Sequence, residues 1–462
     1  MSVLAAFMVP HPPLIVPEVG KGEEKGIAST IAAYRQVAQK IKELSPETII
    51  VTTPHSIMYS DYLHISPGTG AKGNLAQFGA PQVQFKVNYD QELVREVCAL
   101  GQSTHLSVGT EGERDAKLDH ATMVPLYFVN QVYTNYKLVR IGLAGLPLTD
   151  HYKLGQLLQK AINKLQRSAV IIASGDLSHR LKKDGPYGFN SAGPKYDAHI
   201  MQVMSSGNFL ELFVFPASLC EEAGECGHRS FTIMAGALDK MAVQARQLSY
   251  EGPFGVGYGI VEFLPKNIDP RRNFLEQYPA YRDKLLAEKK KKEDPYVHLA
   301  RAALELYIKQ GRTMTIPQDV PAEMLKIRAG AFVSLKKDGM LRGCIGTIGP
   351  VRDSLAKEII FNAISAGTQD PRFLEVKSTE LPELEYSVDV LGPLETILSP
   401  KELDVNRYGV IVTKGSRSGL LLPNLEGINT IEQQIDIAKQ KAGIRQEETD
   451  ISLQRFEVIR HK

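Results

Sequence analysis

Residues 3–13, VLAAFMVPHPP, set an apolar run of strand length directly before a proline-bounded histidine, His11. The same arrangement recurs: ETIIVTTPHS over residues 47–56 carries His55 past a second run, and SAVIIASGDLSHR over 168–180 carries His179 past another. YKLVRIGLAG (136–145) is a further run of this kind, and EEKGIASTIAAYRQVAQKIKEL (23–44) shows helical spacing of its apolar residues. Short apolar strands separated by amphipathic helices predict an α/β domain of buried strands layered with helices. In open sheets ligands gather just past the strand ends, where loops carry the polar side chains. The histidines fall there, and His120 in KLDHATMVPLYF (117–128) precedes one more apolar stretch.

The chain is 462 residues long, too long for one ordinary core, and about 150 residues per domain suggests two or three domains. Nine of its eleven histidines precede residue 265, leaving only His298 and His461 beyond. Residues 266–294, KNIDPRRNFLEQYPAYRDKLLAEKKKKED, hold scattered prolines and a lysine run with little apolar periodicity, and read as a linker. Asp294 and Pro295 then offer an N-cap and a first helical residue, with Val297, Ala300, Leu304 and Ile308 on one face. The expected division is therefore 1–265, a linker over 266–294, and a second domain over 295–462.

A composition of 43% hydrophobic and 23% charged residues with net charge +2 is that of a globular protein, without a bulk preference for nucleic acid or acidic membrane. No stretch is apolar enough to span a bilayer and MSVLAAFMVPHPP lacks a basic leader, so a cytoplasmic location is expected. Four irregularly spaced cysteines, Cys98, Cys220, Cys226 and Cys344, make no disulfide framework. A special cysteine here would be a ligand or a nucleophile.

One histidine at a strand end is usually a packing residue, but three at equivalent ends point to a metal. Two imidazoles and one anionic side chain hold a transition metal while leaving coordination positions open. The anionic partner is expected in ASLCEEAGECGHRSFTIMAGALDK (217–240), where Glu225 and Cys226 are adjacent and both remain candidates. A carboxylate would suit Fe(II) and oxygen chemistry, whereas a thiolate makes a softer site that also suits Zn or Cu. GPFGVGYGIVEF (252–263) is not read as a phosphate loop, because it precedes a strand and no helix follows. SGDLSHR lacks the nucleophile turn of a serine hydrolase.

The ordered motifs PHPP, TPHS, LDHATMVPL and SGDLSHR resemble those of the class III extradiol ring-cleavage dioxygenases and their Memo relatives, over roughly residues 1–265. The resemblance implies helices around a central mixed sheet, with His11 and His55 as metal ligands, His179 as the acid/base and His120 as a substrate contact. Where the dioxygenases place a glutamate as third ligand, Memo-like proteins place a cysteine before a glycine, and ECGHRS resembles the latter at Cys226 and Gly227, with Glu225 beside it.

In the second half, GAFVSLKKDGMLRGCIGTIGPV (330–351) reads as two strands around an Asp338-Gly339 turn, followed by a helix in VRDSLAKEIIFNAISAG and strands in LEYSVDVLG and YGVIVTKG. This predicts an α+β domain. Glycines at 343 and 346 are expected to admit a close backbone or a ligand. LRGCIGTI with DPRF downstream resembles the AMMECR family, over about residues 295–462. Strand alternation puts Arg342 and Cys344 on one face, where a neighbouring cation would favour the thiolate, and Arg342, Cys344 and Arg372 form a candidate C-terminal cleft. The combination of halves resembles the AmmeMemoRadiSam system protein A family, which implies a radical SAM protein as partner; this chain has no CxxxCxxC motif of its own. The N-terminal half is thus expected to be either an Fe(II)-dependent oxidoreductase on a catechol-like small molecule or a metal-binding accessory factor. No nucleic-acid or membrane partner is expected, and a homo-oligomer is left open.

Overall fold

The computed structural model describes residues 3–337, 340–425, 428 and 430–462. The chain divides into two compact units, Met1–Tyr281 and Arg282–Lys462. Residues 266–294 contain the end of a strand, a single turn at Pro270–Arg272 and the helix Phe274–Lys291. Among the described residues no helix is long and apolar enough to cross a membrane.

The first unit is built on six strands: β1 (Val3–Val9), β2 (Thr48–Thr53), β3 (Lys137–Gly142), β4 (Ala169–Ser174), β5 (Met241–Glu251) and β6 (Tyr258–Ile268). Their order is β3-β2-β4-β1-β6-β5. The first four run parallel, and β6 and β5 complete the mixed sheet as an antiparallel hairpin on β1. The expected α/β layering is what forms. The glycine cluster of 252–257 joins the two strands of that hairpin.

Both sheet faces are covered, so the strands read as continuous apolar runs. Ala6, Met8, Ile50, Ile171 and Ala173 point to one core, with helices α2 (Gln91–Ser103), α4 (Leu148–Lys164), α5 (Ala192–Ser206) and α6 (His228–Ala237) contributing to it. Ala5, Phe7, Ile49, Val51, Val170 and Ile172 point to the other, with α1 (Ala28–Leu44) and α3 (His120–Asn130). This two-residue alternation sorts one run of sequence into two cores. The topology has one consequence for function: β4, late in the chain, lies between β1 and β2, so their carboxyl ends converge.

The second unit has a seven-stranded antiparallel sheet. Strands β7 (Ala331–Lys337), β8 (Met340–Gly346), β9 (Leu384–Leu391), β10 (Glu395–Ile397), β11 (Tyr408–Lys414), β12 (Arg417–Leu421) and β13 (Ser452–His461) are ordered β8-β7-β9-β13-β11-β12, with β10 also on β13. The expected hairpin turn at Asp338-Gly339 lies outside the described residues. Helix α8 (Pro295–Gln310, counting Phe274–Lys291 as α7) starts as its sequence predicts. The Asp294 carboxylate accepts from the Tyr296 N–H at 2.8 Å, and Val297, Ala300 and Leu304 are buried. Helix α9 (Leu355–Thr368) packs on the same core, and α10 (Ile431–Lys441) on another. Gly343 admits a backbone, not a ligand: a Cβ there would meet the Ala366 carbonyl of α9, while one at Gly346 would meet the Phe332 ring.

Candidate metal centre

His11 stands two residues past β1 and His55 two residues past β2, and the strand inserted between them carries Ser174, Gly175 and Asp176 at its own end. Cys226 arrives just before α6. A Cβ on Gly175 would collide with the Gly227 Cα, so this contact depends on two glycines packed backbone to backbone. The result is that Cys226 docks on Asp176: the Asp176 N–H donates to Sγ at 3.3 Å, and the Cys226 N–H donates to the Asp176 carbonyl at 3.4 Å.

His11 Nε2 lies 3.1 Å from His55 Nε2 and 3.6 Å from Cys226 Sγ, and one ligand atom from each of the three residues falls within 4.8 Å of the others. Tetrahedral bonds of about 2.05 Å to nitrogen and 2.3 Å to sulfur would put ligand atoms about 3.3 Å (N to N) and 3.6 Å (N to S) apart. These two spacings match one shared transition-metal ion. The three residues are the group among the described residues with that property.

Neighbouring hydrogen bonds aim the ligand atoms. The Ser174 hydroxyl gives its one proton to the Ala121 carbonyl at 2.7 Å, so its oxygen accepts from His11 Nδ1 at 3.0 Å. His11 thereby carries its proton on Nδ1 and turns the Nε2 lone pair to the cluster, the usual way an outer partner fixes a ligand tautomer. The His11 N–H donates to Asp176 Oδ1 at 2.7 Å. For His55, the backbone N–H donates to Thr53 Oγ1 at 3.1 Å, and that hydroxyl donates to Asp119 Oδ1 at 2.7 Å. Asp119 also caps α3, accepting from the Thr122 N–H at 3.0 Å, which seats His120 at the first helical position. Sequence reading singled out neither Ser174, Asp119 nor Asp176; their signal was a polar residue at the end of a buried strand or directly before a helix.

His120 and His179 surround the group without joining it. The His120 ring is 4.2 Å from the His55 ring centroid and 5.3 Å from that of Phe78. His179 donates from Nδ1 to the Gly224 carbonyl, which leaves Nε2 free, and its ring stands 5.1 Å edge-on to Tyr187. Burial lowers the pKa of all four imidazoles, and their mutual repulsion deepens the effect at His11; His120 falls to about 4. Burial likewise raises the Cys226 thiol, helped by Asp176 and Glu225, and pushes Asp176 up to about 7. The lowered imidazole pKa values favour the neutral, lone-pair-bearing form in which histidine ligates a metal.

Of the two adjacent third-ligand candidates, Cys226 lies in the group. Glu225 does not: its carboxylate accepts from the His228 N–H at 2.7 Å, at the start of α6. Of the C-terminal candidates, Arg342 forms a two-bond ion pair with Glu380, at 2.9 and 3.1 Å, and donates to the Leu374 carbonyl at 2.9 Å. The expectation that Arg342 lowers the Cys344 pKa is corrected: burial raises that thiol, and the opposing influences are the Ser334 hydroxyl and Arg372. Arg372 pairs with Asp370 at 2.7 Å and donates to the Cys344 carbonyl at 3.3 Å.

A mixed sheet whose parallel strands gather two imidazoles and a thiol past their ends defines an α/β domain with a candidate metal site. Residues 5–261 match the catalytic LigB subunit of aromatic ring-opening dioxygenase, and the chain belongs to that family. Residues 297–461 match AMMECR1, so the two units are a LigB-like domain followed by an AMMECR1 domain. A protein of Clostridium acetobutylicum is 43% identical over 470 aligned positions, spanning 100% of both chains. A protein of Thermotoga maritima is 50% identical over 171 residues, 37% of this chain and 98% of its own. A Pyrococcus horikoshii crystal structure shares 35% identity over 36% of this chain and 88% of its own, with a TM-score of 0.34.

Proposed function

We propose that the LigB-like domain binds one iron(II) ion on His11, His55 and Cys226 and is an oxidoreductase acting on a small molecule. The observation that carries this reading is the fit of the ligand-atom spacings, 3.1 and 3.6 Å, to one shared ion. Family membership supports iron, and Zn or Cu is the alternative that a thiol ligand favours. The metal, when bound, supplies a Lewis-acidic and redox-active centre with open positions. The remaining chemistry belongs to the chain. His179, anchored through Nδ1, offers Nε2 to take or return a proton, and neutral His120 stands beside His55 with the Phe78 ring edge-on to it.

A second reading has one specific support, the cysteine at the third position with Glu225 turned to the α6 backbone. On that reading the protein is a metal-binding accessory factor, with a radical SAM protein as partner, and turns nothing over alone. Metal content of anaerobically purified protein tests the common claim, and an oxygen electrode with catechols separates the readings. Stoichiometric iron lost in His11→Ala and Cys226→Ala, with oxygen uptake that His179→Ala abolishes, is the expected result. Metal without uptake favours the accessory reading. Metal content unchanged in both ligand variants overturns the centre itself.

A further inference from the structure

Arg140 on β3 is the largest side chain among the described residues that the fold buries completely, at 1% exposed, and it lies opposite Val51 of β2. Leu138 and Val51 share its sheet face, in the core with α1 and α3. A guanidinium taken out of water there needs partners on every side, because an unmatched buried charge is costly. Its Nε donates to the Ser66 hydroxyl at 2.6 Å. Four further partners lie in one stretch, ERDAKLD (113–119): the Lys117 carbonyl, the Asp115 carbonyl at 3.3 Å, and the Glu113 and Asp119 carboxylates at 3.5 and 3.7 Å. Every second residue of the stretch meets the guanidinium. Residues 113–119 form no helix or strand of their own, so their course is fixed by what they touch.

The stretch ends on the carboxylate that serves the metal centre. Asp119 Oδ2 faces Arg140 and accepts from the Thr122 hydroxyl at 3.0 Å. Its other oxygen, Oδ1, accepts from the Thr53 hydroxyl at 2.7 Å and from the Thr122 N–H at 3.0 Å. Thr53 in turn holds the His55 N–H at 3.1 Å, and His120 opens the helix that Asp119 caps. One carboxylate therefore sets two of the histidines, and one buried arginine sets the carboxylate.

We propose that Arg140 is a positioning residue of the metal centre: by clamping residues 113–119 it holds Asp119 where that group fixes the His55 backbone and the start of the His120 helix. The inference rests on the reading of His11, His55 and Cys226 as metal ligands. Cys226 is seated independently, through Asp176 and the Gly175 contact.

Co(II) is the probe, titrated anaerobically into the full-length metal-free protein. It takes the same nitrogen and sulfur donors, its thiolate charge-transfer band reports Cys226, and its d–d bands report the geometry of the whole ligand set. Arg140→Lys keeps the charge but loses the planar fork that reaches Ser66 and the stretch together. It is expected to weaken Co(II) by about tenfold in chelator competition and to alter the d–d bands, while the thiolate band persists at saturation. Asp119→Asn has the same effect, and the double variant loses less than the product of the two factors, because Arg140 acts through Asp119. An arginine with only a structural role would lower the urea midpoint and leave the affinity and spectrum of the folded protein unchanged. Wild type supplies a second measurement that needs no buried substitution. Linkage is reciprocal, so Co(II) should slow amide hydrogen exchange in residues 113–117, outside the ligand-atom cluster. Unchanged affinity and spectrum in folded Arg140→Lys, losses that multiply in the double variant, or exchange in 113–117 indifferent to Co(II) overturns the proposal. A wild-type protein without a stoichiometric Co(II) site is a different result: it overturns the metal reading, and the role of Arg140 with it.

Discussion

Cys226 and Cys344 each sit among polar groups at a sheet, and burial raises the pKa of both thiols, yet their surroundings are built on opposite charge plans. Around Cys226 the neighbours are four imidazoles held neutral by burial and a carboxyl group pushed up to about 7. Around Cys344 they are ion pairs, Asp370 with Arg372 and Asp389 with Arg460. A cluster of neutral lone pairs suits a cation, whereas charges already paired within the chain call for none. Two similar thiols therefore stand in different settings, and the groups facing each thiol decide what it can hold.

The largest expected effect tests the first half of that contrast. Cys226→Ala abolishes stoichiometric metal binding, measured by elemental analysis after anaerobic purification, while Glu225→Ala retains it, because only Cys226 shares the ligand-atom cluster. Equal loss in both variants would break the assignment. Next is Gly175→Ala, whose added Cβ meets the Gly227 backbone. It should cost about 1–3 kcal/mol in urea unfolding, since neither backbone can yield without moving the strand end. It should also weaken metal binding by displacing Cys226. A variant as stable as wild type would show that the two segments are not locked together.

A smaller effect sharpens the contrast in charge. Asp197 is buried, accepts from the Ser178 N–H and the Tyr250 hydroxyl at 2.8 Å each, and is raised by burial from 3.8 to about 7. Between those values the folded state keeps a proton that the unfolded state has lost. Its contribution to stability is therefore full below pH about 4 and declines as pH rises through about 7. Asp370 has the reverse sign: its ion pair with Arg372 holds its pKa down, so its contribution is present above the unfolded value and is lost on acidification. Urea midpoints across this range should fall less steeply with pH in Asp197→Asn than in wild type; parallel profiles would count against a neutral Asp197. The smallest effect is Arg342→Gln, which removes a partly exposed pair with Glu380 and costs up to about 1 kcal/mol in urea unfolding.

Much of this organisation was legible in the sequence. Apolar runs of strand length separated by helical spacing predict the α/β layering, because burial on both faces of a parallel sheet forces continuous hydrophobicity. Histidines directly after three of those runs marked the end of the sheet where a ligand would bind, and the cysteine-glycine pair marked Cys226 as one of two adjacent candidates. Residue order alone also placed α8, through Asp294 and Pro295. These are local signals, carried by neighbours along the chain.

What only the tertiary structure decided depends on residues far apart in sequence. The insertion of β4 between β1 and β2 set His11 beside Ser174 and Asp176 and within 3.1 Å of His55. The Gly175 and Gly227 contact, which no periodicity predicts, brought in Cys226, while a single backbone N–H took Glu225 away from it. Likewise, strand alternation put Arg342 and Cys344 on one face, but the loop carrying Glu380 claimed the arginine, and Arg372, tied to Asp370, reaches the Cys344 backbone instead. Pattern along a chain determines which face a side chain takes, because that is set by the local backbone. Which partner it meets there is set by strand order and loop packing, and those form only when the whole domain closes.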